Sequence, residues 1–458
     1  MKDLLLRPIL YVNNLITKGH KRSVNTKKNI FASLIIRGLS IVISFFMVPL
    51  TLNYLDNTNY GIWLTLTSFI GWFSFFDIGL GNGLRNKFAE ALAKGEVSLA
   101  RMYVSTTYAI LTIIIFFVFL LFVVINPFIN WTLVFNAPPG MEKELALLVL
   151  FIFTFFCIQF VLNLIGVILT ADQKPAINGA LGFISSLLSL IVIYILTKTT
   201  SGSLLLYGLT FSGSTILILL IATIILFKTK YKIYSPSYKF VEFKYARNLL
   251  NIGIQFFLIQ VSAIILFSTG NVIITQLFGP AEVAPYNISY KYFGMITMGF
   301  SIVTTPIWSA YTEAYTKNDF TWILQITRKL KIAWVLLAAL SLIMLLISPL
   351  FYKYWIGNKV VIPYTLSFMM FIYTITINWG SIFVAFINGV GKIRLQLYTS
   401  LIAGVVCIPL SIFFAKTLHL GAVGIVLATT ICLSYGPILA PIQYKRIMNK
   451  TAKGIWNK

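Results

Sequence analysis

Residues 103–125 read YVSTTYAILTIIIFFVFLLFVVI, a stretch without one charged side chain. Crossing the hydrocarbon core of a bilayer as a helix takes about 20 apolar residues, and this stretch is long enough. Its apolar positions do not alternate with polar ones, which fits a helix rather than a tilted barrel strand. Similar runs recur along the whole chain. Of its 458 residues 58% are hydrophobic and only 10% are charged, whereas a soluble domain carries about 25% charged residues. A fold in water would have too little polar surface to cover its core. In a bilayer, helices or closed barrels satisfy the backbone, so the chain reads as an all-α polytopic membrane protein.

Working outward, apolar runs of at least about 18 residues give twelve spans. They lie near 29–53, 61–84, 103–125, 145–169, 177–197, 203–227, 249–277, 284–310, 330–350, 361–388, 396–415 and 421–443. The connections then fall on alternate sides. One side holds 29 of the 36 Lys and Arg residues and the other holds 5, while Arg37 and Lys291 fall inside spans. Such an imbalance is the positive-inside signal and places both termini in the cytoplasm. The +24 net charge is read as this topological signal plus affinity for an anionic leaflet. No basic stretch has the length or aromatic interleaving of a nucleic-acid site. Residues 2–28 hold seven cations and no small-residue cleavage site, so a cleaved signal peptide is not expected. The sequence leaves open whether residues 3–17, with Leu4, Leu5, Leu6, Ile9, Leu10 and Leu15, lie on the membrane surface as an amphipathic helix.

The chain repeats itself. Glu90-Ala91-Leu92-Ala93-Lys94-Gly95-Glu96 closes the second span, and Glu313-Ala314-Tyr315-Thr316-Lys317-Asn318-Asp319 closes the eighth, 223 positions later. Lys174 and Lys392 follow spans four and ten at an offset of 218. The expected division is a cytoplasmic segment 1–28, an N-lobe of six spans over 29–227, and a basic linker over 228–248. A C-lobe of six spans over 249–443 and a basic tail over 444–458 complete it. Two parallel six-helix lobes place a substrate site between them and allow alternating access by rocking.

Few residues inside the spans carry chemistry. Arg37 lies about 10 Å inside span one at 1.5 Å per residue. A charge there is functional by default unless the side chain snorkels back to the headgroups. Lys291 enters span eight from the opposite side, with Asn287 four residues earlier on the same helical face. The tyrosines around it, Tyr290 among them, suit an interfacial belt or a cavity wall that stacks sugar rings. Asp77 precedes Gly79, Gly81 and Gly83, which weaken the helix. It is a candidate proton or Na⁺ site, or the partner of Arg85 or Arg37 in a structural ion pair. Gln255, Gln260, Asn271 and Gln276 in span seven line a polar cavity or bond neighbouring helices. Cys157, Cys407 and Cys432 read as small buried hydrophobes. No catalytic triad, metal-ligand spacing or phosphate-binding loop is present in the sequence, so neither cofactor nor metal is expected.

Phe75-Phe76-Asp77-Ile78-Gly79-Leu80-Gly81-Asn82-Gly83-Leu84-Arg85-Asn86-Lys87, followed by Ala89-Glu90-Ala91, resembles the second-span signature of polysaccharide repeat-unit flippases. These form the Wzx-type branch of the multidrug/oligosaccharidyl-lipid/polysaccharide exporter superfamily. Asn59-Tyr60-Gly61-Ile62-Trp63, Pro306-Ile307-Trp308-Ser309-Ala310-Tyr311-Thr312-Glu313-Ala314-Tyr315 and Tyr354-Trp355-Ile356-Gly357 are similar to other stretches of that family. The resemblance covers residue 28 to the last span. It implies flipping of undecaprenyl-diphosphate-linked oligosaccharide across the bacterial inner membrane, around a cationic cavity, coupled to an ion gradient. A diphosphate crossing a low-dielectric layer needs cations in place of its hydration. Arg37, Arg85 and Lys291 are the matching positions, with Lys392 and Arg394 as a cytoplasmic mouth and Asp77 as the coupling acid. The implied partners are the lipid-linked oligosaccharide, membrane lipids, and the glycan polymerase and glycosyltransferases of the same route. Two other readings stand beside a flippase: a cation-coupled drug exporter of the same superfamily, and a membrane-embedded glycan polymerase or acyltransferase. Basic rather than acidic intramembrane residues disfavour the exporter, and short outward loops disfavour the enzyme.

Overall fold

The computed structural model describes residues 21–77, 79–245 and 254–457, and the regular elements among these residues are all helical. The run that opened the sequence reading lies in one helix, Val97–Ile125. Its Val104, Leu111, Ile115 and Phe122 are buried against neighbours, while Phe116, Phe117, Leu121 and Val124 are exposed. A helix apolar all round, with one face packed and the other open, is solvated by lipid on the open side.

The first span is α1 (Lys21–Tyr54). The second is split. Asp56 accepts from the Asn59 N–H at 2.6 Å and opens α2 (Asn57–Gly71). The chain then tightens into a 3₁₀ stretch, Trp72–Asp77, and passes through left-handed Gly79 (φ 80°) into α3 (Leu80–Lys94). The glycine-weakened break expected there is real, but the unwinding falls on the aromatic residues before the glycines. The quoted run is α4 (Val97–Ile125), followed by a short α5 (Trp131–Phe135). The fourth span is α6 (Glu142–Leu162) and α7 (Leu164–Ala171), hinged at Asn163, and α8 (Pro175–Thr199) and α9 (Leu204–Lys228) complete the first six spans.

The second six are α10 (Ile254–Phe278), α11 (Val283–Thr316), α12 (Phe320–Ile356), α13 (Tyr364–Val390), α14 (Arg394–Ile412), and α15 (Ala422–Cys432) with α16 (Leu439–Met448). Nine helical segments among the described residues are long and apolar enough to cross a membrane. The split second span, α10 and α11 raise the number to twelve.

The packing repeats with a shift of six spans. In the first half α1 packs on α8, α3 on α7, α4 on α6, and α9 on α6 and α8. In the second, α10 packs on α14, α11 on α13, α12 on α13, and α15 on α13 and α14. The left-handed turns repeat as well. Gly95 (φ 73°) and Asn318 (φ 58°) are 223 positions apart, and Gln173 (φ 56°) and Gly391 (φ 72°) are 218 apart. These are the offsets read from the sequence. Each half therefore turns at equivalent places, as parallel repeats must.

Among the described residues the lobes share a core at one end. A core that includes Trp63, Leu148 and Tyr207 of the first lobe and Tyr292, Tyr352 and Met370 of the second runs continuously across the cation-poor end. At the cation-rich end the core divides, with Leu84, Phe88 and Leu169 in one cluster and Tyr311, Phe386 and Tyr444 in another. The segment after α9 lies on its own lobe, where Arg101 Nε donates to Ser235 O (2.9 Å) and the Glu242 N–H to Thr106 Oγ1 (3.0 Å). The tail lies on the other lobe, with Gln443 Nε2 donating to Trp456 O (3.1 Å) and the Arg446 guanidinium 4.3 Å from the Trp456 ring. Residues 3–17 fall outside the described residues.

Candidate substrate cavity

A polar seal closes the cation-poor end. Asn57 Nδ2 donates to Lys359 O (2.8 Å), Trp355 Nε1 to Phe45 O (2.9 Å), and the hydroxyls of Thr65 and Thr275 pair at 2.6 Å. The Lys359 ammonium reaches Leu52 O (3.2 Å) and Asn53 Oδ1 at the end of α1, where carbonyls and the helix dipole favour a cation. Deeper, Asn287 Nδ2 donates to Asn271 Oδ1 and Asn271 Nδ2 to Ser68 Oγ, both at 2.8 Å. Gln276 Nε2 donates to Leu133 O (2.9 Å) and Val134 O (2.6 Å). The described hydrogen bonds between lobes thus run from the outer turns of α2 and α12 to mid-depth.

Below the seal lies a cavity of ≈ 530 Å³ walled by α1 (Ser44, Phe45), α11 (Tyr290, Lys291, Met295) and α13 (Tyr373). Lys291 has neither a carboxylate nor a hydrogen-bond partner among the described residues. An ammonium held in the membrane interior without a counter-charge is costly, so the arrangement suits water or an anion beside it. Tyr290 faces Tyr286 at 6.3 Å and 13°, with Tyr373 at 6.2 Å. A smaller opening of ≈ 220 Å³ holds Arg37 and shares Ile41, Ser44 and Met298 with the first. The two openings adjoin, and Arg37 and Lys291 line neighbouring stretches of the wall between the lobes.

The other expected site residues lie elsewhere. Asn287 shares the helical face of Lys291, yet its amide is held in the seal. Arg85 lines a separate hollow inside the first lobe. Lys392 Nζ is held by Asn457 Oδ1 and sits 5.6 Å from the Tyr315 ring, so the tail occupies it. Arg394 is exposed at the first turn of α14. Asp77 ends the 3₁₀ stretch, and its side chain, like those of Gln255 and Gln260, lies outside the described residues. Span seven did carry a usable signal, because Asn271 and Gln276 bond neighbouring segments, one of the two roles expected of them. Lys359 carried none and Trp355 stood only within a family-like stretch, since their partners are about 310 residues distant in sequence.

Two parallel six-helix lobes that share a core at the cation-poor end, with Arg37 and Lys291 lining openings between them, define a polytopic α-helical membrane protein of two-lobed architecture. The chain belongs to the family described as polysaccharide biosynthesis protein, whose model matches residues 26–311. A Yersinia pseudotuberculosis protein named for O-antigen export is 22% identical over 372 residues, covering 78% of this chain and 82% of the relative. A Salmonella typhi protein named for O-antigen transport is 22% identical over 63% of this chain and 64% of its own length. Among solved structures, the inward-facing conformation of a multidrug resistance MATE family transporter aligns with TM-score 0.71 at 15% identity. It covers 93% of this chain and all of that one. The outward-facing conformation of such a transporter aligns at 0.61 and 16% identity, covering 96% and 98%. The family resemblance drawn from the second-span motif is thereby established.

Proposed function

We propose that the protein flips undecaprenyl-diphosphate-linked oligosaccharide repeat units from the cytoplasmic to the periplasmic leaflet of the bacterial inner membrane. The observation that carries this reading is the pair of adjoining openings between the lobes that hold Arg37 and Lys291, with no carboxylate among their described lining residues. A diphosphate in that space exchanges water for a guanidinium and an ammonium, while Tyr290 and Tyr373 offer ring faces to sugar. A cationic drug would meet repulsion there instead. The cation-rich end, with both termini, faces the cytoplasm by the positive-inside rule. The closed end is then periplasmic, and the cavity is poised to load from the cytoplasmic side.

Transport follows if the lobes rock about the cavity, so that the polar seal breaks as the cytoplasmic halves close. Coupling to an ion gradient, with Asp77 as the acid, belongs to this proposal. So does delivery by glycosyltransferases and removal by a glycan polymerase. The test is made in cells bearing Arg37→Ala or Lys291→Ala at wild-type protein levels. Lipid-linked repeat units should accumulate and surface polymer should fall. Unchanged surface polymer in both variants would overturn the assignment.

A further inference from the structure

The hollow lined by Arg85 has a volume of ≈ 400 Å³ and shares no residue with the cavity of Lys291. Three helical segments build its polar rim. Arg85 comes from α3, Asn163 and Thr170 from either end of α7, and Asn178 from the first turn of α8. Its floor is apolar, formed by Leu111, Phe160 and Val167. Gly166 makes room for the rim, because a Cβ there would lie 2.4 Å from Asn178 Oδ1. Among the described residues Arg85 has no partner, and the nearby carboxylates are engaged. Asp172 is held by Lys174, Lys230 and Tyr231 at 2.6 Å each, and Glu90 by Lys87 and Lys94. Among the described residues the Arg85 charge is therefore left without a carboxylate partner.

Depth narrows the ligand. α3 and α4 form an antiparallel hairpin turning at Gly95 and Glu96, so Arg85 stands level with Ser105. The apolar run of α4 begins at residue 103, which sets Arg85 at the headgroup layer with Leu111 about 9 Å deeper at 1.5 Å per residue. A guanidinium and two amides offer N–H donors at that level, and a planar guanidinium matches phosphate oxygens in a bidentate fashion. We propose that this hollow is a second binding site, taking the phosphate of a lipid from the cation-rich leaflet with the start of its chain on the apolar floor. The inference stands apart from the identity of the cargo, since a prenyl phosphate and an anionic phospholipid share this chemistry.

Native mass spectrometry of the full-length protein from phosphatidylcholine nanodiscs separates these sources. One arm titrates a short polyprenyl phosphate, a second phosphatidylglycerol, and a third inorganic phosphate. Wild type should retain a lipid phosphate at an Arg85-dependent site, and Arg85→Gln should weaken that site at least tenfold. Arg85→Lys should keep part of it, and Gly166→Val should block it sterically with the charge intact. Response to polyprenyl phosphate assigns the hollow to cargo loading, and response to phosphatidylglycerol assigns it to a resident lipid. Equal lipid retention by wild type, Arg85→Gln and Gly166→Val would overturn the proposal. So would inorganic phosphate binding as tightly as either lipid. Lys291→Gln should leave the Arg85-dependent site in place, so failure here is distinct from failure of the central cavity.

Discussion

Gly61 offers the sharpest test of the seal. A Cβ at this position would fall 1.7 Å from Pro280 O and 2.5 Å from its carbonyl carbon, where ordinary contact needs at least 3.4 Å. Gly61 belongs to α2 of one lobe, and Pro280 to the turn between α10 and α11 of the other. The clashing atom is backbone, so no side chain can rotate aside, and the lobes must part. Overpacking of this kind costs about 1–3 kcal/mol. The penalty exists only while the cation-poor end is closed. At about 1.4 kcal/mol per factor of ten, Gly61→Val should favour opening there by roughly 5- to 150-fold. Opposing it are the hydrogen bonds from Asn57, Trp355, Thr65 and Asn271, each worth about 0.5–1.5 kcal/mol net. Their sum, about 2–6 kcal/mol, is comparable with the strain, so a mixed population is expected rather than complete opening. Spin labels at Ser201→Cys and Asn358→Cys, both exposed at that end, would report it by electron–electron distance measurement. Gly61→Val should add a longer-distance population. A distribution identical to that of the glycine protein, in a folded sample, would refute the claim that the two backbones press together at the seal.

Trp355→Ala removes both the bond to Phe45 O and a ring stacked on Phe45 at 4.5 Å. The same labels should show opening, by about 1–3 kcal/mol from the lost hydrogen bond and aromatic contact. Lys359→Met should open the end more weakly, because Lys359 is exposed and its contacts are screened. Lys291→Arg should keep part of the transport that Lys291→Ala loses, measured as surface polymer per copy of protein. Lys87 and Lys94 hold the Glu90 carboxyl down at about 2 by hydrogen bonding and charge. A carboxylate with a depressed pKa contributes stability that is present above its ordinary pKa of about 4.5 and fades as pH falls towards 2. The melting difference between wild type and Glu90→Gln should shrink over that window, and it should be small throughout, since Glu90 is exposed.

Most of the fold was legible because bilayer solvent imposes one rule on every span: a long apolar helix flanked by biased charge. The repeat was legible in Glu90-to-Glu96 and Glu313-to-Asp319 because each half must turn at Gly95 and Asn318 in the same way. What stayed hidden depends on contacts between segments far apart in sequence. Arg85, just past an apolar run, reads as a cation of the central cavity, yet α3 continues nine residues past it to Lys94 and Arg85 lines a separate hollow. Asn287 and Lys291 share a face, but which of them meets the cavity is decided by Asn271 on α10. Lys392 looks like part of a basic mouth until the tail folds back to place Asn457 on it. Lys291 was legible for a simple reason: a cation inside a span needs a purpose.

The central claim is that the space between the lobes carries a lipid-linked diphosphate by way of Arg37 and Lys291. The most direct measurement is flipping by the purified protein in sealed vesicles, using a polyprenyl-diphosphate oligosaccharide and reading the sugar that becomes accessible to an external lectin. Wild type should expose it in a protein-dependent manner, with Arg37→Ala and Lys291→Ala each slower by at least tenfold. Wild-type rates in both variants, or equal rates for a cargo without the diphosphate, would contradict the claim.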